Sequence, residues 1–578
     1  MSATGAVAGD LSRRQFAVAF ALILLVAAIL RGLFPAADPP WESTVGIVWH
    51  DEGAWVHNAR NRALFGAWSL DAWNPMFIAP VFTALEYAAF EGFGTGVRQA
   101  RLVPEILGWL SVFLLGLGLA RIAGRRAGLI GAALLATNYV YVMWNRAALM
   151  EGPMAAFMVA SWYCHARTAS SARWAWGAAA FAFLAFFTKA AAAFFVAALA
   201  FDALVGLLVA WRQDPGQRRA ALTTLAALAI CGAAALAMFV VPNWQDYWFY
   251  NVQMSITRKP SYDIESLLNR LTWFPVLHDI FTRMWVTLAL GLAAALTIAV
   301  NFRSAAPGER LLAWWLALGA LELLAHDVGN ERRFVMFIPA LIALAAILLG
   351  RDRRLVGATV ASIPRSSALL AAPVVAYALY VLAGSGIRLG FLYEVAPNVR
   401  LGAALAVVAT AGLYLTWPRL PRALSAAWSP GAGMVLASVL VVGQAVQFVQ
   451  WAWGRSYKNY SASIELGRVL PPGTLVHGKL ANGLALENGI RPVFVGRGFG
   501  NYADRKSRDD VRYILTYVSP RVGYEGSVIE EVLDAYPNRT IIMTFDVAET
   551  VTGRDRAALI DKFGGARIDG QTAGRAHD

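Results

Sequence analysis

The chain has 578 residues, of which 58% are hydrophobic and 15% charged, and its formal net charge is +13. A soluble globular protein carries closer to a quarter charged residues, so the composition argues against a soluble enzyme. The positive charge does not point to nucleic acid, because the basic residues sit in short clusters between apolar runs. The two cysteines, Cys164 and Cys231, both fall inside apolar runs, which argues against a disulfide framework.

The apolar runs are long enough for helices that cross a bilayer, which need about 20 residues. They lack the alternation of a barrel strand, so an α-helical polytopic membrane protein is expected. About thirteen transmembrane helices are read, near residues 16–34, 102–120, 127–143, 153–168, 174–187, 191–210, 221–241, 284–300, 311–325, 334–349, 367–387, 399–416 and 431–451. The pair flanking Thr188-Lys189 is equally readable as one long helix. Arg13 and Arg14 precede the first run, which reads as an uncleaved helix rather than a removed signal.

With the N-terminus in the cytoplasm, the clusters Arg121/Arg125/Arg126, Arg212/Arg218/Arg219, Arg303/Arg310, Arg351/Arg353/Arg354 and Arg419/Arg422 all fall on the cytoplasmic side. That is the bias expected of an inner (plasma) membrane protein, and an odd number of spans puts the C-terminus outside. The membrane part is then residues 1–453 and a small extracytoplasmic α/β domain is residues 454–578. Two long outer loops stand out, 35–98 and 242–283. Segments 52–66 and 80–92 in the first read as amphipathic helices lying on the membrane surface. The second, with Arg258 and Tyr262, reads as a lid-like loop over a site at the interface.

In the C-terminal part, strands are expected at Thr474–His477, Pro492–Val495, Tyr513–Val518 and Thr540–Thr544. Helices are expected at Ala462–Val469, Val528–Tyr536 and Arg556–Phe563. Val495-Gly496-Arg497-Gly498-Phe499-Gly500 lacks the spacing and helix context of a nucleotide fingerprint.

The chemistry-bearing residues gather in the outer segments. His50-Asp51-Glu52-Gly53 precedes a helical stretch, where Asp51 suits an N-cap and Glu52 the helix dipole. The loop continues with Trp55, His57, Arg60 and Arg62, a polar and aromatic face that capping leaves unexplained. Glu151 lies in a short turn before Pro153, close to hydrocarbon, and is expected to pair with Arg146 or another cation. Lys189 interrupts an apolar stretch, for which snorkelling is the plain alternative. His326 and Asp327 lead to Arg332 and Arg333, an arginine pair on the outer side suited to an anion, above all a phosphate. A divalent ion on His50, Asp51 and His57 is conceivable, although the spacing matches no strong ligand pattern.

These motifs, in this order, resemble the GT-C glycosyltransferases of the protein O-mannosyltransferase and lipid A aminoarabinose transferase type. The family's acidic motif is matched by Asp51-Glu52, its Pro-containing segment by Asn74-Pro75-Met76-Phe77, and its Arg-Leu by Arg101-Leu102. Glu151 stands where an Asp is common, and Phe187-Thr188-Lys189-Ala190 stands for Leu-Thr-Lys-Gly. Arg332-Arg333-Phe334 through Pro339-Ala340 matches the Arg-rich turn and the span after it. No lysine lies near Asn74, unlike the Glu-Lys pair of the aminoarabinose enzymes, which weakens the case for lipid A as acceptor.

The resemblance implies a GT-C fold and a sugar moved with inversion from a polyprenyl-phosphate carrier to a protein, lipid or glycan acceptor. It implies Asp51 as general base, with Glu52 and Glu151 as further catalytic residues. Lys189, Arg332, Arg333, Arg146 and Arg258 would hold the donor phosphate. Trp55, His57, Tyr262 and His326 would face the acceptor or form the lid. No cofactor is required with certainty, and the bilayer itself is a partner. A transporter or flippase of a lipid-linked glycan is the alternative, but no internal repeat supports it.

Overall fold

The structure of the chain is a computed structural model. It describes residues 11–40, 47–210, 214–254, 261–277, 280–303, 305–326, 331–350, 365–390, 399–417, 419, 430–496, 499, 501, 504–519, 532–548 and 555–565. The expected spans fall on helical segments, but that at 127–143 is broken into two helices at Asn138. Seven helices of the described residues are long and apolar enough to cross a membrane by themselves, and an eighth if a bent pair counts as one.

The first helix, α1 (Arg13–Gly32), opens with a capping box in which Ser12 and Gln15 satisfy each other's backbone N–H groups. Val18, Leu22, Leu25 and Ile29 are exposed along it, as expected for side chains that face lipid. The helix of Ile338–Gly350 is the opposite case. The candidate span containing it is 83% buried against 17% for α1, which places it at the centre of the bundle.

The first loop is helical: α2 (His50–Trp55), α3 (His57–Phe65) and α4 (Pro80–Phe93) precede the long α5 (Val97–Ile122). The amphipathic surface helix expected over 52–66 is interrupted at Val56, and its residues 50–54 and 57–61 are buried. It is covered by the C-terminal part of the chain instead of lying on lipid.

Helices α6 (Arg125–Thr137) and α7 (Tyr139–Asn145) bend by 62° at Asn138. A break among apolar helices needs partners for the freed backbone groups. The Asn138 side chain accepts from Tyr141 N–H at 2.9 Å, and Gln444 accepts from Tyr139 N–H at 2.9 Å. The two readings around Lys189 resolve into separate helices: α8 (Glu151–Ala166) is followed by α9 (Trp174–Thr188), Lys189 is extended, and α10 (Ala193–Ala210) continues. In the second long loop, Tyr250 stacks on Phe77, and its hydroxyl accepts from Asn74 and donates to the Ala72 carbonyl. That loop is docked on the first.

The C-terminal region holds a mixed five-stranded sheet of order β2-β1-β3-β5-β4. Its strands are β1 (Leu475–His477), β2 (Arg491–Val493), β3 (Tyr513–Ser519), β4 (Thr540–Val547) and β5 (Asp555–Asp561). β1 pairs in parallel with β2 and β3, while β5 runs antiparallel between β3 and β4. The helix expected at Arg556–Phe563 is therefore β5. Its Ala557-Ala558-Leu559-Ile560 run is buried on both faces, and a short continuous apolar run carries no period that separates helix from strand. The expected helix Val528–Tyr536 lies only partly within the described residues.

Candidate active site

The site begins at α2. Trp49, not Asp51, is the N-cap, and no side chain caps this helix; Asp51 and Glu52 are in its first turn. The Asp51 side chain is thus free to be used elsewhere. It meets Arg332, from the turn before the central helix, and its Oδ1 lies 2.7 Å from Lys479 Nζ of the C-terminal region. Burial works against the charge on Asp51, but Arg332 and Lys479, with His50, outweigh it and hold the carboxyl well below the usual range.

Glu52, its neighbour in sequence, is engaged on both oxygens. Arg101 forks onto it at 2.8 and 2.7 Å, and Ala148 N–H donates to Oε1 at 2.8 Å. Arg101 also donates to the carbonyls of Pro35 and Ala37, so the pair ties α5 to the start of the first loop. Glu52 was expected to be catalytic, and this closed geometry makes it a fixed strut beside Asp51.

Glu151 opens α8 and accepts from Lys189 Nζ at 2.6 Å. Of the partners expected for it, Arg146 or another cation, the second holds, and Arg146 points elsewhere. Its guanidinium donates to the carbonyls of Leu30, Arg31 and Phe34 and lies over the Trp451 ring at 4.7 Å. The second Glu151 oxygen is buried without a hydrogen-bond partner among the described residues. Arg332 also feels the charge of Glu151. Among the described residues, Lys479, Asp51, Arg332, Glu151 and Lys189 therefore follow one another with alternating sign. Arg333 stands apart, 3.2 Å from Glu322.

The remaining candidates separate into those the site uses and those it does not. His57 was expected to face the acceptor or to ligate a metal with His50 and Asp51. It is 1% exposed and surrounded: Nε2 lies 3.0 Å from Asp71 and 3.1 Å from Asn61, and Nδ1 lies 2.9 Å from Asn482. With both ring nitrogens occupied it cannot complete that ligand set, and no group of three metal-binding side chains forms among the described residues. His50 lies 3.9 Å from Asp51, and the Tyr517 hydroxyl is 3.2 Å from its Nδ1. Burial first, then the charge of Lys479, push the His50 imidazole well below its ordinary range, against the attraction of Asp51. Trp55 packs edge-on to Trp73, and Tyr262 is exposed on the second loop. His326 ends the helix Pro307–His326, and Arg258 lies outside the described residues.

The C-terminal region supplies the largest surprise. A short helix, Lys479–Gly483, packs on α2 so closely that a Cβ on Gly53 would stand 1.8 Å from the Asn482 carbonyl oxygen. The glycine after Asp51-Glu52 is thus explained by close approach of a segment from the far end of the chain. Gly478 takes a φ of 122°, open to glycine, and its N–H donates to the Val493 carbonyl, turning the chain sharply from β1 into Lys479. Arg60 fastens the contact with three hydrogen bonds to the carbonyls of Ala485, Asn488 and Ile490. No local pattern marks Lys479, because what makes it part of the site is tertiary contact.

Residues 78–244 match the family model of the dolichyl-phosphate-mannose-protein mannosyltransferases. That segment includes Arg101, Glu151 and Lys189 and stops short of Asp51, Arg332 and Lys479. No curated protein matches the chain. Among solved structures, ArnT from Cupriavidus metallidurans bound to undecaprenyl phosphate is similar with a TM-score of 0.52 and 18% identity, over 95% of this chain and 98% of that one. The same protein in the apo state gives 0.53 and 17%, over 94% and 98%. The chain thus has the fold of ArnT, and its residues 78–244 match the mannosyltransferase family model.

Proposed function

We propose that this chain is an integral membrane glycosyltransferase that moves a sugar from a polyprenyl-phosphate carrier to an acceptor outside the cytoplasm, with inversion. The observation that carries this reading is the row of alternating charges at Asp51, where, among the described residues, three cations face two buried carboxylates. Cations gathered beside membrane helices suit an anion, and the phosphate of a lipid-linked sugar supplies one. ArnT, of the same fold, holds undecaprenyl phosphate.

In the reaction, an acceptor hydroxyl or amine attacks the anomeric carbon on the face opposite the phosphate. The bond from that carbon to the phosphate oxygen breaks, and the electron pair stays on the phosphate. Asp51 takes the proton lost by the acceptor, as a general base. Arg332 and Lys189 stabilise the charge that grows on the leaving phosphate. Glu151 keeps Lys189 and Arg332 in place, and Glu52 holds α2 through Arg101. Arg146, whose guanidinium is spent on three carbonyls, has no role in this scheme beyond packing.

The arginine clusters between spans support a plasma-membrane protein with a cytoplasmic N-terminus and residues 454–578 as an outer α/β domain. The acceptor class, whether protein, lipid or glycan, is to be named by assay. Purified protein is given a panel of polyprenyl-phosphate sugars with crude envelope extract as acceptor source, and lipid products are read by mass spectrometry. Release of polyprenyl phosphate from one donor, lost in Asp51→Asn, is the expected result. Lipid-linked sugar crossing proteoliposomes without release would replace this reading with transport.

A further inference from the structure

Asp51 is an odd general base as it stands. Two cations touch it where one would neutralise it, and its carboxyl lies well below the usual range. Before it accepts a proton, at least one of those cations has to leave. The incoming donor carries the group that would take it: a phosphodiester with one negative charge, which becomes a monoester of higher charge as the sugar departs.

Lys479 is built for that exchange. Its backbone is fixed against α2 by the Gly53–Asn482 contact, by Asn482 on His57 and by Tyr517 on His50. Its ammonium sits on a flexible four-carbon stem, and its side chain is 18% exposed, while that of its partner Asp51 is 9% exposed. A pure strut between two layers has a better candidate nearby in Arg60, which is 1% exposed and spends its donors on carbonyls.

Resting on the glycosyltransferase reading above, we propose that Lys479 is a ligand of the donor phosphate, supplied by the C-terminal region and parked on Asp51 while the site is empty. Phosphate binding draws Lys479 and Arg332 off Asp51 and so frees the base at the moment the donor arrives. Because the phosphate gains charge as the sugar leaves, the lysine binds the transition state and product better than the bound donor.

The test uses the full-length protein and undecaprenyl phosphate as probe, with affinity measured by titration in nanodiscs. Lys479→Met should weaken binding roughly tenfold to a hundredfold, the worth of one charge-assisted hydrogen bond, and Lys479→Arg should restore most of it. Asp51→Asn should tighten binding several-fold, because it releases two cations from a competing carboxylate. A strut gives the opposite pattern: both variants melt earlier and neither changes the affinity of the folded fraction. Unchanged affinity in Lys479→Met overturns the proposal and leaves the glycosyltransferase reading in place. If Lys479→Met does not fold, Asp51→Asn decides alone, and unchanged or weaker binding in it overturns the proposal. Wild-type protein that neither binds undecaprenyl phosphate nor releases it from any donor removes the reading and the proposal together.

Discussion

Two ionic clusters occupy different parts of the helix bundle, and they differ in how exposed their cations are. In one, Asp202 of α10 is flanked by Arg310, which donates to it at 2.9 and 3.4 Å, and by His165, whose Nε2 lies 2.8 Å away. Arg310 also donates to the Ala305 carbonyl. The side chains of all three are 6% exposed or less, and one carboxylate faces one guanidinium. In the other, Asp51 and Glu151 alternate with Lys479, Arg332 and Lys189, whose side chains are 16–19% exposed. The first cluster clamps helices together, with a cavity lined by His165, Asp202 and Arg310 beside it. The second keeps its cations partly exposed, so an incoming anion can reach them and exchange partners. Burial of charge alone does not mark a functional site; charges at an edge that a ligand can reach do.

The comparison is broken most severely by paired substitutions. Asp51→Asn should lower sugar transfer by about 10²- to 10⁴-fold, the usual worth of a general base, with a small change in melting temperature because its cations can rehydrate. Asp202→Asn should do the reverse. It strands a buried guanidinium and should cost about 3–5 kcal/mol of stability, while turnover per folded molecule persists. Transfer and thermal unfolding measured on both variants give the two halves of the test.

A second break lies between the adjacent carboxylates Asp51 and Glu52. Glu52→Gln opens the buried fork to Arg101 and should also cost about 3–5 kcal/mol, seen as an early thermal transition. Its loss of transfer should track the unfolded fraction, unlike that of Asp51→Asn.

The pH dependence sharpens the comparison further. His50 is held neutral in the fold, its pKa pushed well below the ordinary 6.5. The unfolded chain takes up a proton there as pH falls through about 6.5, and the folded chain does not. The stability His50 contributes is therefore present above that pH and lost as pH falls below it, by up to about 1.4 kcal/mol per pH unit until the folded value is reached. Thermal unfolding between pH 8 and 5 should show this slope, and His50→Gln should flatten it.

The smallest effect is expected at Glu86 in α4, which is fully buried with neither oxygen hydrogen-bonded among the described residues. Burial, then the charge of Glu52, push its pKa well up. A raised carboxyl stabilises the fold below its ordinary pKa and loses that contribution as pH rises. Glu86→Gln removes the titration and should raise stability at pH 7.5 by on the order of 1 kcal/mol, read as a higher melting temperature.

The sequence carried the membrane helices well, because runs of apolar residues bounded by arginines need no tertiary information to be recognised. It carried Asp51, Glu151, Lys189 and Arg332 as candidates because charges at the edge of hydrocarbon stand out one by one. It did not carry who pairs with whom. The sequence leaves Glu151 to Arg146 or another cation; Lys189 takes it, while the Arg146 guanidinium goes to the end of α1. His57 read as an open polar group because the segment covering it begins far along the chain. Lys479 was invisible for the same reason, and β5 was misread because its apolar run fits helix and strand equally.

The account turns on where the phosphate goes, and a cryo-EM structure of the full chain with undecaprenyl phosphate measures that directly. The account predicts the phosphate within hydrogen-bonding distance of Arg332 and Lys189, with at least one cation withdrawn from Asp51. A phosphate seated elsewhere, with the Asp51 contacts to Arg332 and Lys479 unchanged, would contradict it.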